Sequence, residues 1–255
     1  MPRQSRWTSS PTPPVPTRIS TWATTISTSP PSSASDEVAR RLRAVRARIE
    51  EAGGDPSQVR VVGVTKGFGP EAVTAARAAG LVDIGENYAS ELVAKAAALE
   101  ADASSSPSVR WHFLGAIQRN KVARLAPIVD MWQSVSRAEE GARIARFAPG
   151  ATVLVEVDTT GLDGRNGCAP DGVRALVPRL RESGLDVRGL MTVAAPDPEA
   201  AQSAFETVRR LADELGLEER SMGMSDDLDV AVRAGSTMVR IGRALFGGRP
   251  TKSAG

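Results

Sequence analysis

Lys66 follows a short apolar run, Val61-Val62-Gly63-Val64-Thr65, and precedes Gly67, Phe68, Gly69 and Pro70. An amine at the end of a buried strand must be solvated or paired, which makes it an awkward packing residue. The same placement suits a Schiff base with an aldehyde. The alternative is a lysine that snorkels to the strand rim.

Far along the chain, Ser221-Met222-Gly223-Met224-Ser225-Asp226-Asp227 brings small and hydroxyl residues to the opening of a helix. Ser225 reads as an N-cap whose helix start turns backbone N–H groups toward an anion, with a plain capping serine as the alternative. The next apolar run contains Val239-Arg240-Ile241-Gly242-Arg243. Gly242 marks a turn where backbone approaches something closely, so two helix starts converge on one phosphate. Arg240 alternates with Val239 and Ile241 and therefore points away from their face, into the mouth of the fold. A buried arginine needs an acceptor, and a pyridine nitrogen would serve; an ion pair with Asp226, Asp227 or Glu86 is the alternative. Lysine, arginine and two phosphate-cradling turns are the parts of a pyridoxal 5'-phosphate site.

These residues need a frame that gathers strand ends. Apolar Val38, Leu42, Val45 and Ile49 predict an amphipathic helix over 36–52, stopped by Gly53-Gly54. After it, β-branched runs near 59–65, 81–85, 110–116, 128–135, 152–158, 187–193, 220–224 and 238–242 alternate with Ala-rich helical stretches such as 197–215. Several runs are apolar at consecutive positions, as expected of strands covered on both faces. Eight β-α units in this length predict a closed (β/α)8 TIM barrel with an additional N-terminal helix; a doubly wound open sheet is the alternative. In a barrel the functional residues gather at the strand ends. Those ends carry Lys66, Glu86 with Asn87, Gln118, the loop 158–167, Met191 with Thr192, 221–225, and 240–243.

Composition bounds the rest. The chain has 255 residues, of which 41% are hydrophobic and 24% charged, enough for one large core. Residues 1 to 35 contain seven Pro, nine Ser and seven Thr and no acid, so they read as a disordered N-terminal extension ahead of a barrel over 36–250. A transit-like leader and an early start codon are the alternatives for that segment. Residues 36 to 255 carry 29 basic and 30 acidic residues, a formal charge of −1, which gives no signature of nucleic-acid binding. One cysteine, Cys168, and one histidine, His112, argue against a disulfide framework and a His-based metal site, and fit a reducing cytoplasm. His112, between Trp111 and Phe113, reads as a packed or hydrogen-bonded structural residue, and Cys168 as incidental unless a cation such as Arg165 activates it. Arg46, Arg48, Glu50 and Glu51 read as a solvated helix face. No apolar run reaches the length of about 18 residues that crosses a bilayer.

The segments Val64-Thr65-Lys66, Ile84-Gly85-Glu86-Asn87-Tyr88, Trp111-His112-Phe113-Leu114-Gly115, Gly189-Leu190-Met191, 221–227 and 235–247 resemble the pyridoxal phosphate homeostasis proteins, the YggS/PROSC-like family. The resemblance covers about 36–248. It implies a barrel of the alanine-racemase type with pyridoxal 5'-phosphate held as an internal aldimine on Lys66. It also implies phosphate contacts from Ser225, Gly242 and Arg243, an approach lined by Ser221 and Met222, Asn87 and Met191 beside the cofactor, and Arg240 facing the pyridine nitrogen. Two positions depart from the family pattern: Arg220 stands where an apolar residue is usual, and Arg165 replaces a lysine in the loop 161–168.

The resemblance further implies that racemisation would need a second base, a tyrosine from an added C-terminal domain. The single tyrosine here is Tyr88, placed on a helix after the second strand, and the chain ends about a dozen residues after the eighth. The expected function is therefore a pyridoxal phosphate carrier in intracellular homeostasis, supplying apo-enzymes, monomeric and cytoplasmic. A slow racemase or lyase is the alternative, and a barrel that has lost its ligand and serves as an interaction module is a third reading.

Overall fold

The computed structural model describes residues 33–101 and 108–248. The expected disorder of the leader falls almost wholly on residues 1–32, outside the described residues. The first helix, α1 (Ala34–Glu51), begins two residues before the expected Asp36. The cause is a capping box: Ser33 Oγ accepts from the Asp36 N–H, and the Asp36 carboxylate accepts from the Ser33 N–H. Val38, Leu42, Val45 and Ile49 form its buried stripe, as the spacing predicts.

Eight parallel strands follow, in the order of the sequence: β1 (Arg60–Val64), β2 (Asp83–Glu86), β3 (Arg110–Phe113), β4 (Met131–Val135), β5 (Thr152–Glu156), β6 (Asp186–Met191), β7 (Glu219–Ser221) and β8 (Met238–Ile241). Each pairs with the next, and β8 returns to β1 with Arg60 opposite Met238 and Gly63 opposite Ile241, closing the barrel. Closure removes every strand edge, which an open sheet would leave exposed. The expected (β/α)8 architecture is the one observed.

The helices between strands are α2 (Pro70–Ala78), α3 (Ala89–Ala101), α4 (Val122–Leu125), α5 (Ala138–Phe147), α6 (Pro170–Glu182), α7 (Pro198–Glu214) and α8 (Leu228–Arg233), with α9 (Arg243–Phe246) after the last strand. Proline at the first position of α2, α6 and α7 presets φ where no N–H bond is needed. Phe205 of α7 is fully buried, and Phe113 of β3 meets Trp132 of β4 edge to face at 5.7 Å.

The barrel interior is not wholly apolar. Gln133 of β4 contacts Ser221 of β7 and Met238 of β8, strands that are not its neighbours, so these side chains meet across the middle of the barrel. His112 lies in the same layer, buried and hydrogen-bonded as expected of a structural histidine. Asp83 closes it: Arg110 grips its two oxygens at 2.8 and 2.6 Å, and His112 Nε2 lies 2.9 Å from Oδ1.

Burial alone would raise the Asp83 pKa, but the His112 and Arg110 hydrogen bonds outweigh it and bring the value from 3.8 to about 2. The folded value lies below the unfolded one, so the group contributes about 2 kcal/mol that is complete above roughly pH 4 and lost as pH falls toward about 2. Asp83→Asn should lower stability at neutral pH and flatten that acid limb, as measured by urea unfolding across the pH range.

Candidate functional site

The C-terminal ends of the strands surround a cavity of about 760 Å³. Lys66 lines it from the turn that ends β1. The turn is possible because Gly67 takes φ +79°, a left-handed conformation that side chains disfavour. Both flanks of Lys66 are tied to α3: Lys95 Nζ donates to the Thr65 carbonyl at 2.8 Å, and the Gly67 N–H donates to Glu91 Oε2 at 2.8 Å. Lys95 is held in turn by Glu86 Oε1 at 2.5 Å, which also accepts from the Thr65 hydroxyl at 2.5 Å. Burial pushes the Glu86 carboxyl up, while Lys95 and Thr65 pull it down.

Asn87 enters the cavity wall beside Leu114 and Gly115. Glycine is obligatory at 115, because a Cβ there would lie 1.9 Å from the Asn87 carbonyl oxygen. Asn87 and Tyr88 precede α3 instead of lying on a helix, because the strand must first turn over Gly115 before the helix starts. Tyr88 is exposed and lies outside this cavity.

Arg240 reaches the cavity from β8 yet is almost fully buried. Its Nη1 donates to the Ser221 carbonyl at 2.7 Å and to Ser221 Oγ at 2.8 Å, and its Nη2 donates to the Thr192 carbonyl at 2.7 Å. Among the described residues it has no ion pair, so the partners considered from sequence, Asp226, Asp227 and Glu86, are replaced by neutral acceptors on β7 and just after β6. Burial lowers the Arg240 pKa to about 10, with Glu156 and Asp227 resisting, and the guanidinium stays charged at neutral pH.

The two turns expected to meet do so. Ala244 N–H lies 3.4 Å from Ser225 Oγ, and Arg243 pairs with Asp226 across the gap. Ser225, Gly242 and Arg243 all line the cavity. Ser225 is not the N-cap of α8, however; that position is Asp227, whose carboxylate turns back to the Met224 N–H at 2.5 Å. Ser225 sits two residues earlier because its hydroxyl faces the neighbouring loop. Arg46, Glu50 and Glu51 are exposed as expected, but Arg48 is half-buried: it donates to the Ser225 carbonyl at 3.0 Å and to Asp229 Oδ2 at 3.0 Å, tying α1 to this loop.

A model of the alanine racemase N-terminal domain matches residues 34–250. The pyridoxal phosphate homeostasis protein of Pseudomonas aeruginosa is 39% identical, over 83% of this chain and 96% of its own. This chain belongs to that family. Its counterpart in Deinococcus radiodurans is 37% identical over 80% of this chain and 97% of its own. Among solved structures, PipY of Synechococcus elongatus with PLP bound superposes with a TM-score of 0.72 at 32% identity, covering 82% of this chain and all of that one.

Of the residues expected at the site, Lys66, Asn87, Met191, Ser225, Arg240, Gly242 and Arg243 line the cavity. Ser221 and Met222 lie beneath it, both buried, because β7 ends at Ser221 and the chain reaches the wall only at Met224. Gln118 is exposed and outside it. Asp158, Gly164 and Arg165 of the loop after β5 do line it, whereas Cys168 is half-buried with its thiol pushed up by desolvation, the opposite of activation. Sequence reasoning misses Glu156, which belongs to the wall. Desolvation raises its carboxyl, and Asn166 holds it. Its signal is visible in the sequence, a lone acid within the apolar run of β5.

Replacing Lys95 with Met leaves the Glu86 carboxyl buried without its cation. Lys95→Met should cost about 3 kcal/mol, less at acid than at alkaline pH because a protonated Glu86 needs no partner. Adding Glu86→Gln should restore most of the loss in urea-unfolding measurements.

Proposed function

We propose that this protein holds pyridoxal 5'-phosphate covalently through Lys66 and serves as a carrier in its homeostasis. The observation that carries the reading is the placement of Lys66 and a buried, charged Arg240 in the wall of one cavity, with Ser225 and the Gly242–Arg243 turn brought together in that wall. The fit extends to the backbone. At Gly242 a Cβ would stand 3.4 Å from the Val64 carbonyl oxygen, its nearest protein neighbour, so the glycine leaves room for a ligand to approach the turn closely. Among the described residues no acceptor is bonded to the Gly242 or Arg243 backbone N–H, so both are available to a phosphate.

When bound, pyridoxal phosphate supplies an aldehyde for amine capture and a pyridine ring that can draw electrons. Lys66 Nζ would be the amine that captures the aldehyde, one water being lost. Arg240 is a donor only, so it would hold the ring nitrogen unprotonated and weaken the electron sink on which amino-acid chemistry depends. A site of this kind retains the cofactor without readily turning it over. Homologues named for pyridoxal phosphate homeostasis, and PipY with PLP bound, support this assignment. Delivery to apo-enzymes, action as a monomer and a cytoplasmic setting complete the proposal; among the described residues no helix is long and apolar enough to cross a membrane.

Glu156 favours a second reading, a slow racemase or lyase. It is a buried carboxyl with a raised pKa in the cavity wall, the kind of group that moves a proton.

Borohydride reduction of the cofactor-loaded protein should place a pyridoxyl group on Lys66, read by peptide mass, and Lys66→Ala should abolish it. Absence of label on Lys66 in the wild type overturns the carrier site. In heavy water, exchange at the α-carbon of alanine should be no faster than with free cofactor. Faster exchange that Glu156→Gln removes would establish the enzyme instead.

A further inference from the structure

A continuous line of buried hydrogen bonds runs from the cavity floor to the other end of the barrel. Arg240 Nη1 donates to Ser221 Oγ at 2.8 Å; Ser221 Oγ donates to Gln133 Oε1 at 2.7 Å; Gln133 Nε2 lies 2.7 Å from His112 Nδ1; and His112 Nε2 lies 2.9 Å from Asp83 Oδ1. Ser221, Gln133 and His112 are each buried to 2% exposure or less, so water cannot substitute for a missing partner.

Two acceptors, the Asp83 carboxylate and the Met238 sulfur, set the direction of the bonds. The Asp83 carboxylate, held by Arg110, only accepts, so His112 must carry its proton on Nε2. In the Nε2–H tautomer Nδ1 is an acceptor, which matches the NH2 of Gln133 placed 2.7 Å away. The Met238 sulfur, 3.0 Å from Gln133 Nε2 and also an acceptor, demands the same. Gln133 therefore shows its carbonyl to Ser221. The serine hydroxyl spends its one hydrogen on that carbonyl and can only accept from Arg240. Each strand thus hands the next an unambiguous polarity, and the guanidinium meets acceptors alone on this side.

We propose that Ser221, Gln133 and His112 are positioning residues, a relay that holds the Arg240 guanidinium in line with the ring nitrogen of bound pyridoxal phosphate. The relay rests on the reading of the cavity given above. None of the three residues lines the cavity, so each acts through Arg240. Asp83 and Arg110 anchor the relay, and its members come from β3, β4 and β7, so it reports the closure of the barrel to the site.

The test uses the full-length, cofactor-stripped protein, equilibrium binding of pyridoxal phosphate, and binding of its deaza analogue, in which a C–H replaces the ring nitrogen. Gln133→Met and Ser221→Ala should each weaken pyridoxal phosphate about tenfold and leave the deaza analogue unchanged, because only the natural ring engages Arg240. A residue that merely supports the fold would weaken both ligands alike, and that result, or no loss for either, overturns the relay while leaving the site intact. A wild-type protein that binds neither ligand overturns the cavity reading and the relay together. Should Gln133→Met fail to fold by circular dichroism, Ser221→Ala, which removes one oxygen, carries the comparison. His112 is the only histidine in the chain, so its nitrogen-15 resonances need no assignment. They should show the Nε2–H tautomer, and an Nδ1–H tautomer overturns the polarity on which the relay depends.

Discussion

A guanidinium buried inside a closed barrel has to be met by acceptors, and much of the molecule is arranged to meet Arg240. Two backbone carbonyls, from Thr192 and Ser221, turn inward at the ends of β6 and β7, and the Ser221 hydroxyl adds a third acceptor. Among the described residues no carboxylate pairs with it directly; Glu156 and Asp227 act on its charge from a distance. Leaving such a group short of a partner costs far more than one ordinary hydrogen bond contributes. The barrel therefore tolerates little variation in how β6, β7 and β8 align around it.

Lys66 is fixed by a different device. The network that grips Thr65 and Gly67 lies in α3 and β2, outside the barrel interior, and consists of Lys95, Glu91 and Glu86. Amine and guanidinium are thus held by separate structural layers that meet only at the cavity. The Ser225 loop is braced from a third direction, by Arg48 of the helix that precedes the barrel. An additional N-terminal helix is for this reason more than a cap on the fold: it fixes the orientation of a peptide whose residues stand in the cavity wall.

The parts legible in the sequence are those set by local pattern. Runs of β-branched residues mark the eight strands to within a few positions, and strand ends then point to Lys66, Asn87, Met191 and Arg240. The parts that are not legible depend on which strands and loops become neighbours after closure. Ser225 reads as an N-cap because the local spacing allows it; Asp227 takes that role once the β8 turn draws the serine hydroxyl sideways. Arg48 looks solvated because nothing near it in sequence reveals that Ser225 lies alongside. Lys95, thirty residues beyond Thr65, falls in an alanine-rich helix where a lysine ordinarily faces water.

Glu156 and Glu86 show where sequence reading can go further. Each is an acid at the last position of its strand, β2 for Glu86 and β5 for Glu156. Their fates differ because of what surrounds them: Glu86 is turned outward to Lys95, away from the cavity, while Glu156 remains in its wall with Asn166. A carboxyl left in the cavity wall at the expense of desolvation is not explained by packing. Arg240 and Arg165 favour its ionised form while burial opposes it, so the two arginines and this carboxyl are coupled across the cavity.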